Sequence, residues 1–532
     1  MTGTDWLLRA DERGNPDTGI DRRHGDVPWT SGNEVRPLVH GATYFAELLR
    51  CVQRMRSGDV LMFTDWRGDP DERLSGPGTE VEKVLCSAAE RGVIVKGLVW
   101  RSHLDRFGFS EAENRHLGEE IEAAGGECLR DMRVRPGGSH HQKLVVLRHP
   151  GRPELDIAFE GGIDLCHSRN DDAAHHGDPQ RQPMAAVYGD RPPWHDVQLA
   201  VRGPAVGDLE ATFRERWDDR AALSHNPVYR VIDAVRHEDE KPDPLPAQLP
   251  DPRPCGTQTV QVLRTYPARL KGYPFARHGE RSVARAYQKV FARARSLIYI
   301  EDQYFWASSV VRCIADALGA NPQLRLIVVI PHCPDQDGRW ALPANLVGRE
   351  AALRLVRTAG GDRAAVYGVE NHAGTPVYVH AKACVVDDVW AAIGSDNVNR
   401  RSWTHDSELS CAVVDEQRDE RAPRSVDHFG DDARQFAREL RLDLAREHLD
   451  RPDGEDADLI DPVSAFEQFA HSAQRLQTWH DAGRRGERPP GRLRPYVQSS
   501  LPRQTLMWAQ PLYRAIYDPD GRPLRLRLRN LF

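Results

Sequence analysis

Lysine is scarce in this chain of 532 residues: seven lysines stand among 72 basic residues, and the rest are arginine. In such a background each lysine is informative, because a compact ammonium is kept where arginine would serve most other needs. An excess of positive charge is also missing. Acidic residues number 79, giving a net charge of −7, which argues against a general nucleic-acid or anionic-membrane binder. Long apolar runs are absent; Leu326 to Ile330 and Val377 to Val379 fall far short of the roughly 20 residues a helix needs to span a bilayer. Met1 to Arg23 is polar and mixed in charge, with no apolar core of a signal peptide, so the chain reads as cytoplasmic. The nine cysteines are odd in number and include no CxxC, fitting reduced thiols better than a disulfide framework or a zinc site.

The length suits two to four domains with ample core. Six prolines between Lys241 and Pro254 mark a segment unable to continue a helix or a central strand. The expected organisation is an N-terminal half (1–235), a Pro-rich linker (236–258), a C-terminal half (259–450) and an extension (451–532) packing on them. Both halves alternate short apolar runs with amphipathic patterns. Val60 to Phe63, Val93 to Val99, Lys143 to Leu147, Leu297 to Glu301, Leu324 to Ile330, Tyr378 to Val386 and Leu409 to Val414 read as buried strands. Thr79 to Glu90, Val206 to Trp217 and Asp431 to Leu449 read as helices. Alternation of this kind implies α/β sheets covered on both faces. Residues 451–458 and 482–496 read as exposed loops, and Leu524 to Arg529 as an edge strand or a frayed tail.

The chemistry lies in an internal repeat. The first copy reads SHHQKLVVL and later IAFEGGIDLCHSR; the second reads VYVHAKACVVDD and then AAIGSDNVNRRS. Each places His-x-Lys on an expected strand, followed by a second strand ending in Gly-Gly or Gly-Ser. Chance would give about 0.3 His-x-Lys matches in a chain of this composition. There are two, one per half. Residues two apart on a strand face one side, so His141 projects with Lys143 and His380 with Lys382. A histidine beside an ammonium is a poor metal ligand and a good phosphate partner. The lysine holds a phosphoryl oxygen, while the imidazole attacks phosphorus when neutral or protonates a leaving oxygen when charged.

These motifs resemble the phospholipase D superfamily, whose mark is a duplicated HxKxxxxD element. The second copy matches fully, with His380, Lys382 and Asp387, then Gly394-Ser395 and Asn397. IYIEDQYF (Ile298 to Phe305), GGIDLC (Gly161 to Cys166) and Trp194 to Trp217 are similar to the eukaryotic-type phospholipases D, over most of residues 40–450. Nothing resembles that family's C2 or PX–PH modules. The resemblance implies two pseudo-symmetric α/β/α halves sharing one active site at their interface. It also implies a covalent phosphohistidine, with no cofactor and no catalytic metal. It implies that Asp196 holds His141 and Glu408 holds His380, and that Asn397, Ser395 and Gly162 lie at the phosphate, with Asp164 the counterpart of Asn397.

One position departs from the pattern: Arg148 stands where the first copy should carry its aspartate. Strand parity puts the motif's last residue, Arg148 or Asp387, on the face away from the phosphate. Asp387 therefore reads as structural, Arg148 bears more on stability than on chemistry, and Asp156 could take over the missing contacts. His175-His176 with Asp171 and Asp172 reads as a solvated loop rather than a metal site. Tyr304, Phe305 and Trp306 suit either an aromatic rim for a lipid headgroup or packed core. His140 reads as support for the site.

The expected activity is hydrolysis or transphosphatidylation of glycerophospholipids of the phosphatidylcholine or phosphatidylethanolamine type. The enzyme would be a monomer that visits a membrane surface transiently and has no nucleic-acid partner. The alternatives are a nuclease or phosphatidyltransferase of the same superfamily, or a lipid-binding protein impaired by Arg148.

Overall fold

The computed structural model describes residues 3–102, 111–224, 241–338, 341–424, 432–497 and 501–532. The expected boundary at 235–236 lies outside them. The first sheet is built from β1 (Thr30–Val39), β2 (Val60–Asp65), β3 (Ile94–Trp100), β4 (Glu127–Asp131), β5 (Leu144–Arg148), β6 (Ile157–Gly161) and β7 (Val197–Arg202). Its order is β4–β3–β2–β5–β6–β7–β1, parallel across the first three and antiparallel thereafter. The second sheet uses β8 (Gln258–Tyr266), β9 (Leu297–Glu301), β10 (Arg325–Val329), β11 (Ala364–Glu370), β12 (Ala383–Val386), β13 (Trp390–Gly394) and β14 (Glu408–Asp415). Its order, β11–β10–β9–β12–β13–β14–β8, repeats the first strand for strand, with the same directions. The sequence repeat is thus a topological repeat. β1 and β8 pair antiparallel through Thr30 and Val260, joining the two copies at their edges.

Why these segments are strands follows from their composition. Runs such as VLMFTD and LIYIE are buried throughout, as strands covered on both faces must be. Helices complete the connections between parallel strands. In Val81–Glu90, for example, Val81, Leu85 and Ala88 form the buried face at spacings of four and three. The last strand of each half is followed by a helix, α1 (Ala205–Trp217) and α2 (Gln435–Leu449). Leu209, Phe213 and Trp217 of α1 and Leu440 and Leu444 of α2 enter one core with residues of both sheets. Truncating one of these, as in Leu209→Ala, would cost about 2–5 kcal/mol.

Several expectations need correction. His141–Lys143 and His380–Lys382 are not on strands but in the extended runs just before β5 and β12, and the expected strand Tyr378 to Val386 is divided there. Leu524–Arg529 is a short exposed helix, because its leucines find no sheet edge to cover. Within 482–496, Leu493–Pro495 adds to the edge of β11, so that part is not loop. The helix Pro462–Asp481, begun by Asp461 accepting the Ser464 N–H, has no counterpart in the sequence reading. Among the described residues, no helix is long and apolar enough to cross a membrane.

Candidate active site

The two His-x-Lys segments are fixed by backbone from the opposite half. The His141 N–H donates to the Ser407 carbonyl at 2.9 Å, and the His380 N–H donates to the His195 carbonyl at 2.8 Å. Tyr378–Val379 runs parallel to Trp194–His195, and His140 bridges to Ser407 in the same way. Each histidine is therefore delivered beside the chain entering the other half's last strand. Asp196 directly precedes β7 and Glu408 opens β14, so each carboxylate meets the other half's histidine.

The pairing is the reverse of the one the resemblance implies. His141 Nδ1 lies 2.9 Å from Glu408 Oε2, and His380 Nδ1 lies 2.6 Å from Asp196 Oδ2. A carboxylate accepting from Nδ1 orients the ring and leaves Nε2 for a substrate. Asp196 Oδ1 also accepts the Val197 N–H at 2.9 Å, so this side chain caps the strand and holds the histidine together.

Ser395 and Gly162 occupy equivalent places after β13 and β6, and each serves a carboxylate. The Ser395 hydroxyl donates to Glu408 Oε2 at 2.6 Å. At Gly162 a Cβ would fall 2.2 Å from Asp196 Oδ1, so only glycine leaves that carboxylate its room. Neither residue has a side-chain group free for phosphate. Asn397 is buried and its Oδ1 has no partner among the described residues, which suits a residue facing a ligand. Its counterpart Asp164 is neutralised: Lys143 Nζ lies 3.2 Å and Arg169 3.4 Å from its carboxylate.

The lysines are buried and aimed at their own motifs. Lys143 donates to the His141 carbonyl at 2.9 Å; Lys382 donates to the His380 carbonyl and reaches Gln303 Oε1 at 3.4 Å. Burial drives the Lys382 ammonium down to about 8, with Asp196 opposing. Burial also holds both imidazoles well below their usual range. Lys143 and Lys382 add to this at His141, and Lys382 and Arg169 at His380. Each histidine thus feels cations from both halves. Glu408 is pushed up to about 8 by burial and by the neighbouring Asp406. At Asp164, burial is overcome by Lys143 and Arg169, which hold the carboxyl well below its usual range.

The two remaining motif positions are structural. Asp387 accepts the backbone N–H groups of Arg295, Ser296 and Leu297 at 2.7, 2.8 and 2.9 Å, fixing the start of β9. Arg148 is buried against Glu210 of α1, with Asp156 at 2.9 Å and the Pro250 carbonyl at 2.6 Å. Asp156 is therefore Arg148's partner and not a substitute for the missing aspartate. His140 is buried against Thr64 Oγ1 at 2.8 Å, a supporting position. Phe305 and Trp306 are core residues rather than an exposed rim.

Sequence reasoning missed Arg169, which packs 4.0 Å over the Trp194 ring and brings a third buried cation to the site. It also missed Asp65 and Asp302, whose carboxylates accept the N–H groups of Leu165 and Val398 and so fix the loops carrying Asp164 and Asn397. Their only sequence signal is a shared position at or just past the end of a buried strand. His175 is a clear correction: it is fully buried, not solvated, and lies in a cluster with His40, His195 and Glu447.

Two imidazoles with carboxylate-held rings, each beside a buried lysine, make an arrangement that can carry out displacement at phosphorus. The comparisons with known proteins agree. The model described as Phospholipase D matches residues 73–317, and that described as Cardiolipin synthase, PLD-like domain, matches 287–429. The chain belongs to the phospholipase D superfamily. Phospholipase D1 of Saccharomyces cerevisiae is 25% identical over 85% of this chain and 30% of its own length. Phospholipase D alpha 1 of Cynara cardunculus is 25% identical over 64% of the chain and 56% of its own length. The chain thus spans less than two thirds of either relative. Among solved structures, the phosphatidylserine synthase of Haemophilus influenzae Rd KW20 shares the fold, with a TM-score of 0.50 and 13% identity over 73% of this chain and 84% of that one.

Proposed function

We propose that the protein is a phosphodiesterase that hydrolyses or transphosphatidylates glycerophospholipids through a covalent phosphohistidine. The observation that carries this reading is the crossed pair of carboxylate-held histidines, each beside a buried lysine. The greater exposure of His141, 16% against 6% for His380, supports it as the nucleophile. Its Nε2 forms a bond to phosphorus as the phosphorus–oxygen bond to the headgroup alcohol breaks, and His380 gives that oxygen its proton. Water or a second alcohol then loses a proton to His380 and attacks phosphorus. The phosphorus–nitrogen bond breaks, releasing phosphatidic acid or a new phosphatidyl alcohol. Lys143, Lys382 and Asn397 stabilise charge on the non-bridging oxygens. Entry of a phosphodiester raises the affinity of both imidazoles for protons, because it offsets the lysines that depress them.

Exposed apolar side chains at Met507, Ile516, Leu524 and Leu528, interspersed with exposed Arg514, Arg525 and Arg529, support transient contact with a lipid surface. The test is incubation with phosphatidylcholine or phosphatidylethanolamine vesicles plus ethanol. Phosphatidylethanol that forms with the native chain and disappears in His380→Ala is expected. Single-stranded DNA cleavage without phospholipid turnover would overturn the reading in favour of a nuclease. Exchange confined to a second phospholipid acceptor would make the protein a phosphatidyltransferase.

A further inference from the structure

Near His380, whose N–H donates to the His195 carbonyl, four side chains from distant parts of the chain converge. His40 follows β1, His175 lies in the loop after β6, His195 immediately precedes Asp196, and Glu447 is on α2. The three histidines are buried. Their ligand atoms and that of Glu447 all lie within 4.8 Å of one another. Glu447 is the hub: His40 Nε2 is 2.7 Å, His175 Nε2 3.0 Å and His195 Nδ1 3.1 Å from its oxygens. Four ligands about 2.0–2.1 Å from a tetrahedral ion stand about 3.3 Å apart, so small side-chain shifts would bring this set onto one metal.

The opposite ring nitrogens are the stronger argument. His175 Nδ1 lies 3.0 Å from the Trp194 carbonyl, and His195 Nε2 lies 2.6 Å from Glu301 Oε2. Glu301 is itself fixed by His448 at 2.7 Å and by the Tyr299 hydroxyl at 2.5 Å. Acceptors on both sides of an imidazole require a proton on each nitrogen. With Glu447 and Glu301 ionised, these contacts place a proton on both nitrogens of His175 and of His195, whose ring centroids lie 5.8 Å apart in a buried site. One divalent cation replaces those two protons with no change in total charge. Each imidazole then binds through one nitrogen and donates its remaining N–H to an outer acceptor, the usual arrangement of metal-bound histidine. His40 brings the third ring, in a backbone conformation (φ 70°, ψ 154°) that is nearly reserved for glycine. His175 also has a positive φ, 54°.

We propose that His40, His175, His195 and Glu447 bind one Zn2+ as a closed structural site that ties α2 to the first half and braces the segment carrying Asp196. Three imidazoles and one carboxylate suit zinc better than calcium or magnesium, which prefer all-oxygen ligands. Binding releases two protons, from His175 Nε2 and His195 Nδ1.

The test is elemental analysis of the full chain grown with zinc and gel-filtered. About one equivalent of zinc is expected. His176→Ala, an exposed neighbour, should retain it, whereas His175→Ala and Glu447→Gln should each lose at least tenfold. Cobalt(II) added to metal-stripped native chain should give the intense visible absorption of a tetrahedral site, a readout independent of any variant's folding and of phospholipid turnover. Native chain with less than about a tenth of an equivalent and no cobalt spectrum would overturn the proposal, leaving a protonated network. Zinc retained equally by all variants would overturn it too, by placing the metal elsewhere.

Discussion

The two halves share a topology, but each is pinned internally by a buried ion pair of the opposite polarity. In the first half, basic Arg148 at the end of β5 is buried against acidic Glu210 of α1. In the second, acidic Asp388 in the turn after β12 is buried against basic Arg438 and Arg441 of α2. The same joint, from the strand after the motif to the helix after the last strand, is made twice with polarity reversed. Arg148 therefore has buried partners of its own in the first copy. Asp387 has the task of capping the start of β9, and Arg148 has a different one. A buried ion pair is a poor source of net stability, but removing one partner leaves a charge unpaired, and that is costly.

The comparison can be broken most decisively at the carboxylates. Because they are crossed between halves, Asp196→Asn should lower kcat about 10^3–10^4-fold and disturb the imidazole resonances of His380 while leaving those of His141 in place. Glu408→Gln should do the converse. If each substitution disturbed the histidine of its own half, the crossed arrangement would be wrong. Next in size is Arg148→Asp, which restores the motif. The motif alone predicts a gain. The structure predicts a loss of about 3–5 kcal/mol in unfolding free energy, because the new carboxylate faces Asp156 and Glu210. Chemical denaturation distinguishes the two. Asp387→Ala removes the acceptor for three backbone N–H groups and should cost about 1–3 kcal/mol with kcat nearly unchanged. A large fall in kcat at unchanged stability would make Asp387 a member of the site.

A further test concerns pH. Glu408 is pushed up to about 8 from an ordinary 4.5, first by burial and then by Asp406. Between those values the native state holds a proton that the unfolded state has lost. Its stabilising contribution is therefore complete below about 4.5 and disappears as pH rises through about 8. Unfolding measured from pH 5 to 9 should show Glu408→Gln gaining on the native chain as pH rises. A constant difference would mean that Glu408 is ionised throughout.

Much of this was legible in the residues. Continuous apolar runs marked β2, β3, β9 and β10, and the duplicated His-x-Lys located the chemistry in a chain that otherwise chooses arginine. Local pattern failed where the outcome depended on a neighbour. Leu524–Arg529 alternates like a strand but has no sheet edge beside it. His175, set among Gly, Asp and Gln, looks solvated and is covered by α2 and the second half.

The sequence by itself determined the candidate groups: two histidines, their lysines, and the acids and amide that accompany them, since those identities and spacings are local. Only the tertiary structure decided which acid holds which histidine. It alone set Ser395 and Gly162 behind the carboxylates and gathered His40, His175, His195 and Glu447 around one point. These relations join residues hundreds of positions apart across a pseudo-twofold arrangement. No spacing along the chain encodes such contacts; they exist once each half supplies the backbone against which the other's motif is laid.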